Sequence, residues 1–208
     1  MKKGILVVIS GFSGAGKGTV LKELLSRYED TYAVSVSATT RDMREGEAEG
    51  VNYFYKTQEE FQQMIREDAF IEYASYCGNY YGTPKQYVYE QMDAGKDVIL
   101  EIEVQGALKV KEKFPDTPII FLTPPSAAEL KARLFARGRE DAEEIDRRLK
   151  RASEEAVYMP RYDYMIVNDR LEDCVEELHE LIQKLHCRTV FCNDLVKKMQ
   201  TELSEISR

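Results

Sequence analysis

The stretch Gly11-Phe12-Ser13-Gly14-Ala15-Gly16-Lys17-Gly18-Thr19 constrains this chain more than any other. It follows a short, β-branched apolar run, Ile5–Ile9. It precedes Thr19–Tyr28, where Val20, Leu21, Leu24 and Leu25 recur at a helical period. Glycines at these spacings let backbone N–H groups point inward as a nest, and the start of the following helix adds partial positive charge. Strand, nest and helix in that order form a cradle for phosphate oxygens, and Lys17 reaches the terminal phosphates as a point charge. The spacing G-x4-G-K is that of a P-loop, except that Gly18 takes the usual Ser/Thr place and Thr19 comes one residue later. Thr19 is therefore the candidate Mg²⁺ contact, direct or through water. A glycine-rich turn with a surface lysine is the competing reading, and the strand and helix around the stretch speak against it.

The strand-to-helix rhythm returns further on. Asp97–Val104 reads as a second buried strand, with a helix through Ala107–Phe114. Pro118–Leu122 is a third, with a helix from Ser126 to about Arg137. Tyr164–Val167 is a fourth, with a helix over roughly Leu171–His186. Such alternation predicts an α/β fold, a parallel sheet flanked by helices. With 43% apolar residues in 208, the chain can bury a core of that kind.

Two stretches break the rhythm. Residues 36–89 are rich in tyrosine and mix strand-like pieces, Tyr53–Tyr55 and Phe70–Tyr76, with a helix near Glu59–Glu67, as expected of an inserted lobe. Residues 137–151 form a lid-like segment after Gly138, a candidate hinge. Between 131 and 151, eight Lys/Arg stand against five Asp/Glu. A solvated helical face is one reading of that density and an arginine-bearing flap is the other. Residues 188–208 are expected as a helical tail, with Phe191, Leu195, Met199 and Leu203 on one face.

The inserted lobe speaks to a second substrate. Arg41 and Arg44, with hydroxyls from Tyr53, Tyr80 and Tyr81, can bind a phosphate monoester by charge-assisted hydrogen bonds. Glu72, ending Phe70-Ile71-Glu72, is a carboxylate among apolar neighbours. Guanine offers two adjacent donors, N1–H and the 2-amino group, that one carboxylate accepts together, and adenine offers no such pair. Glu101 and Glu103, two residues apart on a strand, share a face at its carboxyl end, where α/β sheets bind ligands. Two carboxylates there suit a hydrated Mg²⁺ or a polarised substrate edge.

These stretches, with Ser35–Arg41, Gly50–Tyr53, Phe70–Ala74, Gly78–Thr83, Glu101–Gly106, Arg133–Gly138 and Tyr162–Asn168, resemble in order the guanylate kinases of the bacterial, single-domain kind, over residues 1–187. The resemblance implies a P-loop NTPase-type core with a GMP-binding lobe and a lid. It implies transfer of a phosphoryl group from ATP to GMP, with dGMP as a further acceptor and Mg²⁺ as cofactor. By the same resemblance Gly11, Ser13, Gly14, Ala15, Gly16, Lys17, Gly18 and Thr19 bind ATP. Arg133, Arg137 and Arg148 approach its phosphates, and Asn168 lies near the adenine. Ser37, Glu72 and Thr83 hold the guanine. Arg41, Arg44, Tyr53 and Tyr81 hold the GMP phosphate, and Glu101 and Glu103 lie near the guanine and the Mg²⁺ waters. Lys17, Arg41, Arg137 and Arg148 are the implied catalytic set. Phe12 and Met43 stand where the family often has proline, and Glu103 where aspartate is more usual.

Charge and cysteine usage set bounds on partners. Lys and Arg total 29 and Asp and Glu 37, a net charge of −8, which argues against nucleic acid as a partner. No run approaches a membrane span, no signal peptide is evident, and Cys77, Cys174, Cys187 and Cys192 form no CxxC pair, so a cytoplasmic protein with free thiols is expected. His186, Cys187 and Cys192 lack zinc-site spacing and read as ordinary helix residues. Monomer and homodimer both remain open. Three rivals stand beside the kinase: a non-catalytic guanylate-kinase-like binding module, a P-loop kinase for another phosphorylated acceptor, and an NTPase switch.

Overall fold

The computed structural model describes residues 3–76, 78–136 and 142–207. From the amino end it runs β1 (Leu6–Gly11), α1 (Lys17–Arg27), β2 (Tyr32–Val34), β3 (Ala38–Thr39), β4 (Phe54–Tyr55), α2 (Gln58–Arg66), β5 (Phe70–Tyr76), β6 (Asn79–Pro84) and α3 (Lys85–Asp93). It continues with β7 (Asp97–Glu101), α4 (Val104–Lys113), β8 (Ile119–Thr123), α5 (Ala127–Ala136), α6 (Ala142–Ala156), β9 (Tyr164–Val167), α7 (Leu171–Leu185) and α8 (Asn193–Ile206).

Five strands form one sheet in the order β2-β7-β1-β8-β9, and every neighbouring pair is parallel. The apolar runs explain the centre: every residue of β1 and of β8 is buried, as a strand covered by helices on both faces requires. The main core gathers the inward stripes of the helices, Val20, Leu21 and Leu24 from α1, and Val175, Leu178 and Ile182 from α7. Because β1 is followed by a crossover to β2 on one side and flanked by β8 on the other, the order reverses at β1, and a crevice opens beyond its carboxyl end.

Residues 38–84 build a second sheet, β4-β3-β6-β5, with β3–β6 and β5–β6 antiparallel. Its own small core is Ala38, Phe61 and Phe70, the two rings stacked at 4.5 Å. Helix α2 begins where Thr57 and Glu60 form a capping box, each side chain accepting the other's backbone N–H. The next helix, α3, belongs to the main core through Val88.

Three differences from the sequence reading have local causes. Strand β2 is only three residues between polar neighbours, too short to show a period, yet it pairs with β7 and edges the main sheet. Strand β7 stops at Glu101 and not at Val104, because Val104 is buried as the first residue of α4. Glu103 is thus not a strand residue: it is the N-cap of α4, with φ −72 and ψ 166, so the expected period-two pairing with Glu101 does not apply. At the other end of the sheet, His186 Nε2 lies 2.8 Å from Asp97 Oδ1, which also accepts the Ile5 N–H at 3.0 Å. That buried pair ties the end of α7 to the starts of β1 and β7. Helix α8 follows with Leu195, Met199, Leu203 and Ile206 exposed, while Phe191 packs on the main core.

Candidate active site

The turn from β1 into α1 is set by glycine. Gly11 has φ +147, and a Cβ there would lie 2.0 Å from the Leu122 carbonyl oxygen, so only glycine lets β1 run that close to β8. Gly16 caps α1 in the left-handed region, and its Cβ would meet Asn168 Nδ2 at 2.5 Å. Asn168, buried at the end of β9, donates from that amide to the Ala15 carbonyl at 2.8 Å. Lys17 folds back over the loop, its Nζ donating to the carbonyls of Gly11 at 2.8 Å and Phe12 at 3.2 Å.

Above this loop lies a cavity of about 540 Å³. Gly11, Ser13 and Lys17 form its floor, Glu101 and Glu103 one wall, and helix α6 its roof through Glu144, Arg147, Arg148, Arg151 and Glu155. Arg148 reaches down to Ser13 Oγ at 3.3 Å. The four cations facing the cavity meet four carboxylates, so its charge is internally balanced, and an incoming polyanion can exchange for carboxylates it displaces.

A second cavity of about 450 Å³ opens on the inserted sheet, lined by Ser37, Tyr53, Glu72, Tyr81, Gln105 and Lys109 among others. Ile102, Glu103 and Arg151 line both cavities, so the two meet at those residues. Pairing of β5 with β6 slips register between Phe70 and Tyr73, and this irregularity turns Glu72 toward the cavity while Phe70 and Ile71 stay buried. Thr83, wholly buried, donates to Glu72 Oε1 at 2.9 Å. Burial pushes the Glu72 carboxyl above the ordinary glutamate value, and the Thr83 hydrogen bond opposes that rise.

Arg41 does not line the cavity. Its guanidinium bonds Glu47 at 2.8 and 3.0 Å and lies 5.4 Å from the centre of the Tyr53 ring. Glu47 also accepts the Arg44 backbone N–H at 2.8 Å and the Tyr55 hydroxyl at 2.8 Å, and these partners, Arg41 first, hold its carboxyl down at about 2. The Arg44 side chain is exposed. Tyr80 differs from its expected role as a phosphate donor: its ring stacks on Phe61 at 5.4 Å in the small core, because alternation along β6 sends Tyr81 to the cavity and Tyr80 away. Gly18 and Thr19 are exposed on the first turn of α1 and line neither cavity. Arg133 pairs with Glu129 at 2.7 Å on α5 and lines neither cavity. Arg137, Gly138 and Cys77 lie outside the described residues.

Residues 3–185 match the family model described as guanylate kinase. The chain belongs to the guanylate kinase family. Among its relatives, the guanylate kinase of Caldanaerobacter subterraneus subsp. tengcongensis is 49% identical over 201 residues, 97% of each chain. That of Halalkalibacterium halodurans is 51% identical over 187 residues, covering 90% of this chain and 91% of the relative. The crystal structure of guanylate kinase from Anaplasma phagocytophilum superposes with a TM-score of 0.67 at 32% identity, covering 90% and 89% of the two chains. Among the described residues, no helix is long and apolar enough to cross a membrane.

Within this guanylate kinase framework, sequence reasoning passed over Glu47, Lys109, Arg147, Arg151 and Glu155. A signal for Arg151 was available. Glu144, Arg148, Arg151 and Glu155 are spaced four, three and four apart, one face of a helix. Nothing in the sequence marks Glu47, since its role depends on how residues 40–55 loop back on themselves.

Proposed function

We propose that this chain transfers the γ-phosphoryl group of ATP to GMP, and to dGMP with it, giving ADP and GDP or dGDP. The observation that carries this reading is the junction of two cavities, one over the P-loop lysine and one ending on the buried Glu72–Thr83 pair. An NTPase switch has no use for the second cavity, and a binding module has none for the first.

The chemistry asks little covalent work of the protein. An oxygen of the GMP phosphate forms a bond to Pγ, the bond from Pγ to the bridging oxygen breaks, and its electron pair leaves on ADP. The attacking oxygen is already anionic near neutral pH, so no side chain has to take a proton. What the chain supplies is alignment of two polyanions and neutralisation of their charge. Glu72 accepts N1–H and the 2-amino group of guanine, held in place by Thr83, with Ser37 at the same cavity. A base without that donor pair leaves a partly buried carboxylate unsatisfied. Tyr53 and Tyr81 offer hydroxyls to the GMP phosphate. Arg41 and Arg44 reach it by giving up Glu47 and solvent, respectively. Gly11–Thr19 take the ATP phosphates, Lys17 and Arg148 stabilise charge on the transferred group, and Arg133, Arg137 and Asn168 complete the ATP side. Closure of α6 over the cavity excludes water, which would otherwise accept the phosphoryl group.

The donor set beside Lys17, Glu101 with Glu103, suits a hydrated hard cation carried on phosphate oxygens, and Thr19 is close in sequence. Mg²⁺ bound there with ATP supplies further charge neutralisation. The composition and free thiols support a cytoplasmic enzyme of purine nucleotide metabolism that does not act on nucleic acid. The test is ADP release with ATP and GMP, dGMP, AMP, CMP or UMP as acceptor. GMP and dGMP are expected to be much better acceptors than the other three. Turnover with none would leave the binding module, and a preference for AMP or UMP would remove Glu72 from its role.

A further inference from the structure

The donor and acceptor cavities share three residues: Ile102, Glu103 and Arg151. Phosphoryl transfer has to occur where the cavities meet, and Arg151 is the cation among those three. Its guanidinium is held in two ways. Nε donates to Glu155 Oε1 at 2.9 Å on the same helix, and a terminal nitrogen bonds Glu103 Oε2 across the junction. Glu155 is largely covered, its side chain 14% exposed, whereas Arg151 and Glu103 are 55% and 56% exposed. An ion pair open to water to that extent contributes little and is readily exchanged. A phosphate monoester carries close to two charges near neutral pH and three acceptor oxygens, which a guanidinium fork matches better than one carboxylate oxygen does.

We propose that Arg151 exchanges Glu103 for the phosphate of the acceptor nucleotide and is a catalytic residue of the transfer. Glu155 keeps Nε fixed during the exchange, so the two terminal nitrogens stay aimed at the junction. Arg148, one turn earlier on the same face, stays with Ser13 on the donor side, so the two arginines of α6 flank the group in flight. The carboxylate that Arg151 releases, Glu103, remains at the N-cap of α4 facing both cavities. This inference rests on the phosphotransferase reading above and adds a residue to it.

The test uses the full chain with Arg151→Ala and Arg151→Lys. Loss of a charge-assisted hydrogen bond that aligns the attacking phosphate during transfer predicts a fall in kcat of about tenfold to a hundredfold for Arg151→Ala, with partial recovery in Arg151→Lys. Arg151→Ala also takes from the largely covered Glu155 its Arg151 partner, so a modest fall in the thermal midpoint is expected of it and a smaller one of Arg151→Lys, and kcat is read at a temperature where all three chains are folded. Equilibrium binding adds a second readout, with a non-transferring ATP analogue present throughout. Arg151→Ala should weaken GMP and leave guanosine, which lacks the phosphate, unaffected. A kcat equal to that of the parent chain would overturn the inference, as would equal weakening of GMP and guanosine, which is the mark of a lid contact alone. If the parent chain itself fails to turn over GMP, the phosphotransferase reading falls; if it turns over normally and Arg151→Ala matches it, only this inference falls.

Discussion

Replacing Glu72 by Gln isolates the base-selecting contact with a change of one atom. On the proposed reading, the parent chain's carboxylate accepts two N–H donors from guanine, each a charge-assisted bond worth about 1.5–3 kcal/mol. Glutamine keeps one oxygen and turns an NH₂ group toward the second donor, so one bond is lost and one donor faces another. The combined loss is about 3–5 kcal/mol in kcat/KM, or about two to four decades. The hydroxyl of Thr83 can still donate to the remaining oxygen, so the fold has no reason to change. Stability should move the other way. Burial lifts the Glu72 carboxyl in the folded state, so the folded protein binds its proton more readily than the unfolded chain. A raised acid contributes its penalty above the raised pKa and none below the unfolded one, so stability falls as pH climbs through that window. Glu72→Gln removes the penalty, and the ligand-free variant should melt higher than the parent at neutral pH, with the two converging in acid. In activity, the parent's kcat/KM for GMP should drop on the acid side at an inflection above the ordinary glutamate value, and the variant should lack that inflection. Coupled ADP-release kinetics across pH, with calorimetric melts, read both effects. A variant within threefold of the parent on GMP would refute the contact, and a lower melting point at neutral pH would refute the burial argument.

Three further outcomes follow from the described contacts. Lys17→Met should lower kcat by about two to three decades, in line with loss of one preorganised charge at the transferred group, and saturating ATP should not restore it. Gly16→Ala forces a Cβ into the left-handed region and against Asn168 Nδ2. It should cost about 1–2 kcal/mol in a denaturant titration and raise the KM for ATP, and adding Asn168→Ala should return part of the stability by clearing the clash. His186→Ala leaves Asp97 buried with one fewer partner at the end of the sheet remote from both cavities, so stability should fall by about 3–5 kcal/mol by chemical denaturation while kcat holds.

How much of this was legible in the sequence depended on range. The P-loop was readable because its cause is local: glycines, a strand and a helix within about twenty residues. The central strands were readable because burial on both faces leaves continuous apolar runs, as in Ile119–Thr123. Glu72 could be singled out as a carboxylate in an apolar run, but its aim depends on a register slip against β6 that no period reveals. Glu103 was misplaced because Val104 reads equally well as the end of a strand or the start of a helix, and only packing on the main core decides. Arg151 was passed over although its helix face was visible, because its partner Glu103 is 48 residues away in the chain. Glu47 gives no local sign at all; it matters because a loop returns it to Arg41.

The central claim is that one carboxylate reads the acceptor base through two neighbouring hydrogens, and graded acceptors address it most directly. Phosphoryl transfer from ATP to GMP, IMP and AMP should be compared at limiting acceptor concentration. GMP presents both donors, IMP keeps N1–H without the 2-amino group, and AMP has neither. The account predicts kcat/KM falling in the order GMP, IMP, AMP, with each missing donor costing about tenfold or more. An AMP rate equal to or above that of GMP would contradict it.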